Sequence, residues 1–279
     1  MQLAASGNVC AGYTVLGASG FVGSRIVRTL REQGAICYAP AKGSEEIFER
    51  DLGCVFYCVG LTNDYALRPF DTVKAHVSFL ARILAEAKFD RLVYLSSTRL
   101  YDGQRSGDER DPLLINPANP RHLYDLSKAL GENLCLMNSG GRAGVARLSS
   151  VYDESSNAPG FLSELLVKLK TKQEFVLDSS PNLSRDYIHL DDVVAGLKAV
   201  LDKNFSGIVN IASGENVTNQ QLATLLNNSG CSISFSRPDA IEHSVTCNVT
   251  NLSRLGIQPV LALDYLKFFM ERLHGHGIT

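Results

Sequence analysis

The sequence predicts an α/β fold built on a doubly wound parallel sheet. In the first half of the 279-residue chain, short apolar runs alternate with segments of helical periodicity. The runs are continuously apolar, as strands buried on both faces of a sheet require. The first run leads directly into a glycine-rich turn, Gly17-Ala18-Ser19-Gly20-Phe21-Val22-Gly23, and a helical pattern follows that turn.

The elements of this first half follow one another in βαβ order. Residues 1–11 are expected to form an irregular leader. Strands are predicted at residues 13–16, 35–39, 54–59, 91–95 and 144–148. Helices are predicted at residues 21–33, 45–52, 73–87 and 123–137. The crossovers between parallel strands are expected to be right-handed.

After Ser150 the regular alternation of strands and helices gives way to shorter elements in mixed order. Helices are predicted at residues 161–170, 192–201, 220–226 and 263–273, and short strands at 187–188 and 208–211. This pattern indicates a smaller α+β lobe interleaved with the end of the sheet. We therefore expect one domain of residues 1–150 plus about 184–211, and a second lobe of about 151–183 plus 212–279.

The composition excludes several classes of function. The formal net charge is −2 and no basic patch stands out, so we expect no nucleic-acid partner. No apolar run approaches the roughly 20 residues that span a bilayer, and the N-terminus lacks the pattern of a signal peptide. Seven cysteines without a CxxC pair indicate a reduced, cytoplasmic protein with no structural metal site.

The glycine turn predicts a dinucleotide site. Gly17 allows the tight turn, Gly20 lets backbone N–H groups approach a pyrophosphate, and Gly23 lets the helix pack closely on the strand. The N-terminus of the helix offers unpaired N–H groups and positive potential to phosphates. Ser19 adds a hydroxyl donor. The alternative is a glycine-rich strand-to-helix turn that binds no ligand.

The region after the second strand bears on the choice of cofactor. An acidic residue there would bind the ribose 2′-hydroxyl of NAD, and none is present. Lys42 stands in that region and would suit the 2′-phosphate of NADP, which favours NADP weakly. The alternative for Lys42 is a solvated loop lysine.

A proton-transfer pair follows about a hundred residues later. Tyr124 and Lys128 lie four residues apart and therefore share one face of a helix. The lysine, with a positive nicotinamide ring nearby, is expected to lower the pKa of the phenol and to hold the cofactor ribose. The fourth strand leads into Ser96-Ser97-Thr98, and a serine hydroxyl there is expected to hydrogen-bond the reacting oxygen of the substrate while hydride moves. The alternative is three unrelated residues.

With these motifs the chain resembles the extended short-chain dehydrogenase/reductase superfamily, in its NAD-dependent epimerase/dehydratase (nucleotide-sugar) branch. The resemblance spans nearly the whole chain and implies a Rossmann-type sheet. Besides the glycine turn, it is carried by Leu95-Ser96-Ser97-Thr98-Arg99-Leu100-Tyr101, Tyr124-Asp125-Leu126-Ser127-Lys128 and Ser184-Arg185-Asp186-Tyr187-Ile188-His189-Leu190-Asp191-Asp192-Val193.

The resemblance implies roles for individual positions. Ser97, Tyr124 and Lys128 match the catalytic residues of the family. Arg185 matches an arginine that grips the substrate diphosphate, although Arg185 and Asp186 are alternatively a structural ion pair. The remaining cofactor-binding positions are Gly17, Ser19, Gly20, Phe21, Val22, Lys42, Val59 and Gly60, and the substrate-binding positions are Ser97, Thr98, Ser150 and Arg185.

Departures from the family pattern restrict the reaction. Dehydratases of the branch carry Asp-Glu where Thr98 and Arg99 stand, so 4,6-dehydration is not expected. Arg99 also cannot act as the base that a cysteine provides in epimerase-reductases; it either binds an anionic group or points to solvent. His76 stands where the family usually has an asparagine, in the helix after the third strand. Ser150 stands in place of the asparagine on the substrate side. Only one short helix fits between Pro40 and Cys54, so the sheet is expected to lack the strand usual there, leaving a more open adenine pocket.

The sequence therefore predicts an NAD(P)-dependent oxidoreductase or epimerase acting on a nucleotide sugar, by C4 epimerisation or by reduction of a keto sugar. The alternative is a non-catalytic, dinucleotide-sensing regulator on the same scaffold. The helices at 73–87 and 123–137 are the pair that the branch packs across a dimer axis, so a homodimer is expected. Their apolar faces, including Ile83 and Leu130, are alternatively part of the core.

Overall fold

In the computed structural model, the described residues are 10–62, 64–170, 174–228, 231–237 and 244–275. The strands are β1 (Tyr13–Leu16), β2 (Cys37–Tyr38), β3 (Cys54–Tyr57), β4 (Arg91–Ser97), β5 (Ala143–Leu148), β6 (Ser150–Tyr152), β7 (Glu174–Leu177), β8 (Ser184–His189), β9 (Gly207–Ile211), β10 (Asn216–Thr218) and β11 (Ser232–Phe235). The α-helices are α1 (Phe21–Glu32), α2 (Pro69–Val73), α3 (Phe79–Glu86), α4 (His122–Asn138), α5 (Phe161–Leu169), α6 (Leu190–Asp202), α7 (Asn219–Asn227), α8 (Thr250–Arg254) and α9 (Ala262–Gly275). Short 3₁₀ helices form at Glu45–Phe48 and Thr98–Tyr101, and a π-helical turn at Lys74–Ser78 joins α2 to α3.

The centre of the molecule is a six-stranded parallel sheet in the order β2-β1-β3-β4-β5-β9. All residues of β1, β3 and β5 are buried, which explains why these segments read as continuous apolar runs. The strand order changes direction between β1 and β3, and the carboxyl ends of such strands form the crevice where ligands bind in open α/β sheets. The predicted Rossmann-type α/β fold is confirmed.

The edge of this sheet is trimmed, as the short interval before Cys54 predicted. β2 has only two residues and ends before Pro40, which has no N–H to donate to a neighbouring strand. No strand forms between residues 40 and 54, all of which the structure describes. The 3₁₀ helix Glu45–Phe48 fills the interval and inserts Ile47 into the core.

The second half builds separate small sheets with their own core. β8 pairs in parallel with β6 and antiparallel with β10, and β7 pairs with β11. The predicted strand at 187–188 thus lies in this three-stranded sheet, whereas β9 joins the central one. A second apolar cluster includes Leu166, Phe175, Leu222 and Phe269. The division into a dinucleotide-binding domain and a substrate-binding lobe stays a proposal.

Two observations bear on the predicted reduced, cytoplasmic protein. Cys10 and Cys54 form a disulfide bond across 44 residues, so the expectation that the cysteines are all reduced is wrong for this pair. The bond ties the segment before β1 to the first residue of β3, a proximity that sequence spacing did not indicate. The other five cysteines are free thiols. Through the described part of the chain, helices long and apolar enough to cross a membrane are absent.

Candidate active site

A cavity of about 680 Å³ opens at the carboxyl ends of the parallel strands, between the central sheet and the smaller lobe. Its lining comes from the turn after β1, the end of β3, the end of β4, the helix α4 and the strands β6 and β8. The lining residues include 20–23, 58–60, 95–99, 148–151, 159–162 and 185–187, together with Tyr124 and Lys128. Most of the residues predicted for cofactor, substrate and catalysis are therefore brought together.

The glycine turn is built for close backbone approach. Gly17 has a φ of 83°, and a Cβ there would lie 2.8 Å from the carbonyl carbon and oxygen of Cys58. A Cβ on Gly23 would lie 2.3 Å from the carbonyl oxygen of Gly17. Gly20 differs, because its φ of −77° suits any residue and its nearest neighbour would be 3.3 Å away. Gly17 and Gly23 are thus required by packing, while Gly20 faces the cavity.

The N-terminus of α1 fits the pyrophosphate of a dinucleotide. The N-cap residue is Gly20, so no side chain accepts the first N–H groups of the helix. The first turn also contains no acidic residue. The orphan N–H groups and the positive end of the helix dipole therefore face a cavity lined by Gly20, Phe21 and Val22. Ser19 and Lys42 do not line this cavity, and Lys42 is exposed.

Ser97, Tyr124 and Lys128 line one wall of the cavity. Ser97 is the last residue of β4, and its hydroxyl accepts the N–H of Arg99 at 3.1 Å, which caps the following 3₁₀ helix. Tyr124 and Lys128 lie one turn apart on α4 and are both buried. The Lys128 ammonium donates to the carbonyl of Leu95 at 2.7 Å, which fixes it under the end of β4.

Burial dominates the electrostatics of this pair. Burial lowers the pKa of Lys128 to about 7, although the charge of Glu132 opposes the shift. Burial also raises the pKa of Tyr124, and the Ser97 hydroxyl and the Arg99 charge only partly offset it. Among the protein's own groups, the desolvation of Tyr124 therefore outweighs the lowering by Ser97 and Arg99. The lowered phenol pKa, which was expected with the positive nicotinamide ring nearby, stays a prediction.

His76 supports the catalytic helix from behind. The π-helical turn places this fully buried imidazole edge-on to the Tyr124 ring, with ring centroids 5.4 Å apart. Its Nε2 accepts the N–H of Leu61 at 3.1 Å, and its Nδ1 lies 2.8 Å from the hydroxyl of Ser127. Burial, followed by the charge of Lys128, lowers the pKa of His76 to about 3, so the ring is neutral. His76 is thus a positioning residue.

An aromatic and cationic pair covers the outer side of Tyr124. The Arg99 guanidinium lies 5.0 Å from the Tyr124 ring centroid and 4.6 Å from that of Tyr65. Its Nη2 donates to the Tyr65 hydroxyl at 2.6 Å. Arg99 therefore lies at the site rather than pointing away into solvent. Sequence reasoning missed Tyr65, because the loop after β3 carries no motif that marks it.

A buried polar network lies beneath the cavity. Glu132 and Arg147, with side chains only 5% and 3% exposed, form an ion pair at 2.6 Å. A second Glu132 oxygen accepts from Arg147 Nε at 2.9 Å and from the Ser96 hydroxyl at 2.5 Å. Arg147 also donates to the Tyr101 hydroxyl at 2.8 Å. The network joins β5 to α4 and β4, the elements that hold Tyr124, Lys128 and Ser97.

The other predicted substrate-binding residues also lie at the cavity. Thr98, Ser150 and Arg185 all line it. The alternative of an Arg185–Asp186 ion pair is wrong, because the Asp186 carboxylate accepts the N–H groups of Ser213 and Gly214 at 2.9 and 2.7 Å instead. Arg185 contacts the neighbouring Tyr187 hydroxyl and is available to the cavity.

Known proteins share the fold. A bound complex of MoeE5 with UDP-glucose and NAD superposes with a TM-score of 0.75 at 20% identity, covering 95% of this chain and 99% of that one. UDP-glucose 4-epimerase of Thermotoga maritima, solved with UDP-glucose, gives 0.72 at 19% identity and covers 95% and 99%. At such identities the likeness establishes the fold.

The similar curated proteins are matched over a smaller share of their length. UDP-glucuronic acid decarboxylase 1 of Xenopus tropicalis is 24% identical over 184 residues, which cover 62% of this chain and 44% of the relative. The chain thus spans less than half of that relative's length. dTDP-glucose 4,6-dehydratase of Streptomyces griseus is 23% identical over 261 residues, covering 76% of each. The family model described as NAD dependent epimerase/dehydratase matches residues 13–212.

Proposed function

The chain belongs to the NAD dependent epimerase/dehydratase family, and we propose that it is an NAD(P)-dependent enzyme that oxidises or reduces the sugar of a nucleotide sugar. The reaction is C4 epimerisation or the reduction of a keto sugar. One observation carries the proposal: Ser97, Tyr124 and Lys128 line the same cavity as the open N-terminus of α1. A proton-transfer group and a phosphate-binding helix end thus share one space.

The cofactor that best fits the site is NAD. MoeE5, which has the same fold, was solved both with UDP-glucose and NAD and with UDP-glucuronic acid and NAD. The weak preference for NADP depended on Lys42, and this lysine is exposed and outside the lining of the cavity. Gly20, Phe21 and Val22 hold the pyrophosphate in our proposal, and Lys128 holds the ribose next to the nicotinamide.

When bound, the cofactor supplies hydride acceptance and donation, and its oxidised ring adds positive charge beside the phenol. Tyr124 moves the proton to or from the reacting sugar oxygen, and Ser97 donates a hydrogen bond to that oxygen. Lys128 is held by Leu95 and by the neighbouring carboxylate of Glu132.

The reaction type follows from what stands beside the pair. Thr98 and Arg99 stand where dehydratases of the branch carry Asp-Glu, and from these two positions we propose that the reaction is not a 4,6-dehydration. The dehydratase relative gives no support to that exclusion. Protein purified with bound NAD would favour epimerisation, whereas stoichiometric consumption of a reduced cofactor with a 4-keto sugar nucleotide would favour reduction.

The decisive experiment combines cofactor analysis with one pair of variants. UDP- and dTDP-sugars are incubated with the purified protein and NAD, and epimers are separated by chromatography. Tyr124→Phe is expected to lower kcat by about 100-fold or more while NAD still binds, because only the proton donor is removed. Tyr38→Phe, whose hydroxyl contacts Glu46 outside the cavity, is the matched control and should keep full activity. Turnover that survives in Tyr124→Phe would refute the proposed role of Tyr124. A native protein that binds NAD but turns over none of the sugars, and whose biological effect survives in Tyr124→Phe, would favour the dinucleotide-sensing regulator.

We also propose a homodimer formed through α4. Leu126, Leu130 and Met137 lie along one side of this helix with exposed fractions of 38%, 49% and 69%. Phe70 on α2 is 88% exposed. Exposed apolar stripes of this kind mark contact surfaces. Ile83 was expected either at the dimer interface or in the core. It is fully buried and belongs to the core.

The cytoplasmic location remains a proposal, and the Cys10–Cys54 disulfide argues against a strongly reducing compartment. Alkylation of the denatured, unreduced protein followed by mass spectrometry is expected to find five thiols. Seven alkylated cysteines would show that Cys10 and Cys54 are not bonded, and the cytoplasmic location would then have no disulfide against it.

A further inference from the structure

We infer that Arg99 binds an anionic substituent next to the reacting carbon, so that the sugar is a uronic acid with a carboxylate at C5 rather than a neutral hexose. The inference rests on the proposed function, because it assigns the substrate class of the same cavity. Its basis is the position of one guanidinium beside Tyr124 and the distribution of charge along the cavity.

The charged residues that line the cavity are Arg99, Asp102, Arg121, Lys128, Arg185 and Asp186. Most of them are already engaged. Arg121 pairs with Asp102, and Asp186 accepts two backbone N–H groups. Lys128 is buried against Leu95. Arg99 and Arg185 therefore remain as the lining cations without a carboxylate at hydrogen-bonding distance among the described residues.

These two arginines serve different ends of the ligand. Arg185 lies on β8 and lines the cavity, and the family resemblance implies that it grips the substrate diphosphate. Arg99 follows the catalytic Ser97 by two residues and lies over the Tyr124 ring. A nucleotide sugar with a neutral sugar has no anionic group to offer at that end. A carboxylate on C5 is adjacent to C4, whose oxygen Ser97 and Tyr124 contact in our proposal.

The surroundings of Arg99 hold the guanidinium ready for such a group. Tyr65 accepts one Nη2 hydrogen, and the rings of Tyr65 and Tyr124 contact its faces. Asp125 approaches Nε only to 4.0 Å, and its Oδ1 has no hydrogen-bond partner. An arginine presents five N–H donors in a fixed fork, so donors remain that match the two oxygens of a carboxylate. The side chain is 26% exposed, which leaves it accessible from the cavity.

The test compares two probes that differ only at C5. UDP-glucuronic acid carries a carboxylate there, and UDP-glucose carries a hydroxymethyl group. Binding of each is measured by calorimetry at saturating NAD. The native protein is expected to bind UDP-glucuronic acid about tenfold more tightly or better, as a charge-assisted hydrogen-bonded pair predicts. Arg99→Met should remove this preference and leave the affinity for UDP-glucose within about twofold of native.

Three control variants separate the causes. Arg28→Met removes an exposed charge on α1, where Arg28 is 59% exposed, and should keep the native preference. Arg99→Lys keeps the charge without the fork, so an intermediate preference is expected. Arg185→Met should weaken both probes by the same factor. Thermal unfolding without ligand shows whether each variant is folded.

The outcomes separate the inference from the proposed function. Equal binding of both probes by the native protein, or a preference that survives in Arg99→Met, overturns the role of Arg99 while nucleotide-sugar binding stands. A native protein that binds neither probe, nor the dTDP counterparts, contradicts the proposed function and the inference together.

Discussion

The glycine turn makes a sharp prediction, because its glycines are required for different reasons. A methyl group on Gly23 would lie 2.3 Å from the oxygen and 3.0 Å from the carbon of the Gly17 carbonyl. Both atoms are backbone, so no side chain can rotate away. Relief needs a shift of α1 by roughly 1 Å from β1, against the core packing of Ile26 and Leu30. Gly23→Ala is therefore expected to lower the free energy of unfolding by about 2–3 kcal/mol.

Gly20→Ala should behave in the opposite way. Its φ of −77° suits alanine, and the nearest atom to the new methyl group would be 3.3 Å away. We expect the free energy of unfolding to change by less than about 1 kcal/mol, the cost of a poorer helix cap. The methyl group would project at the cavity where the pyrophosphate approaches, so the affinity for NAD should fall by about tenfold or more.

The two variants are compared by urea denaturation of the protein without ligand and by calorimetric titration with NAD. We expect Gly23→Ala to lose stability and Gly20→Ala to lose affinity for NAD. A Gly23→Ala variant as stable as the native protein would refute the packing argument. A Gly20→Ala variant with native affinity would refute the placement of the pyrophosphate at α1.

Three further predictions concern the buried charges and the helix surface. Glu132→Gln leaves Arg147 charged and buried, so urea denaturation should show a free energy of unfolding lower by about 2–4 kcal/mol. The double variant Glu132→Leu with Arg147→Met should recover most of this loss. A loss below about 1 kcal/mol in Glu132→Gln would contradict the expectation. Lys128 has a folded-state pKa near 7 against about 10.5 unfolded, so its burial costs stability below pH 7 and the cost vanishes as pH rises towards 10.5. Lys128→Met should therefore raise stability at pH 7 by on the order of 2–4 kcal/mol and flatten the rise between pH 7 and 10.5, and an unchanged pH profile would contradict it. Leu130→Lys should convert the proposed dimer to a monomer in light scattering without changing the unfolding temperature, and a native monomer would refute the dimer.

Local patterns explain why much of the fold was predictable from sequence. Strand burial, the helical period and the glycine spacing are properties of short segments, and they placed the central sheet correctly. The trimmed edge followed from chain length alone, because residues 40–54 hold too few residues for a helix and a strand. Tyr124 and Lys128 lie four residues apart, so their common helix face needed no tertiary information.

Two features that the sequence did not reveal depend on contacts between distant segments. Arg99 meets Tyr65 across 34 residues, and Cys10 meets Cys54 across 44. No period or motif encodes either pair. The prediction for Lys42 depended on residue type alone, and a residue type suited to a phosphate does not fix where its loop lies. The raised pKa of Tyr124 likewise depends on how completely the surrounding chain excludes water.

Tyr124, Lys128 and Glu132 follow one another at intervals of four residues along α4, so a phenol, an ammonium and a carboxylate form a row on one helix face. Burial alone would drive the pKa of Lys128 below about 7, and the negative charge of Glu132 is the largest influence that opposes it. Glu132 thus keeps a fraction of Lys128 protonated at neutral pH. Removing that carboxylate lowers the Lys128 pKa, so in Glu132→Gln the activity that needs the ammonium should decline at a lower pH than in the native enzyme. A pH profile of kcat that does not move would show that Glu132 serves Arg147 and stability only.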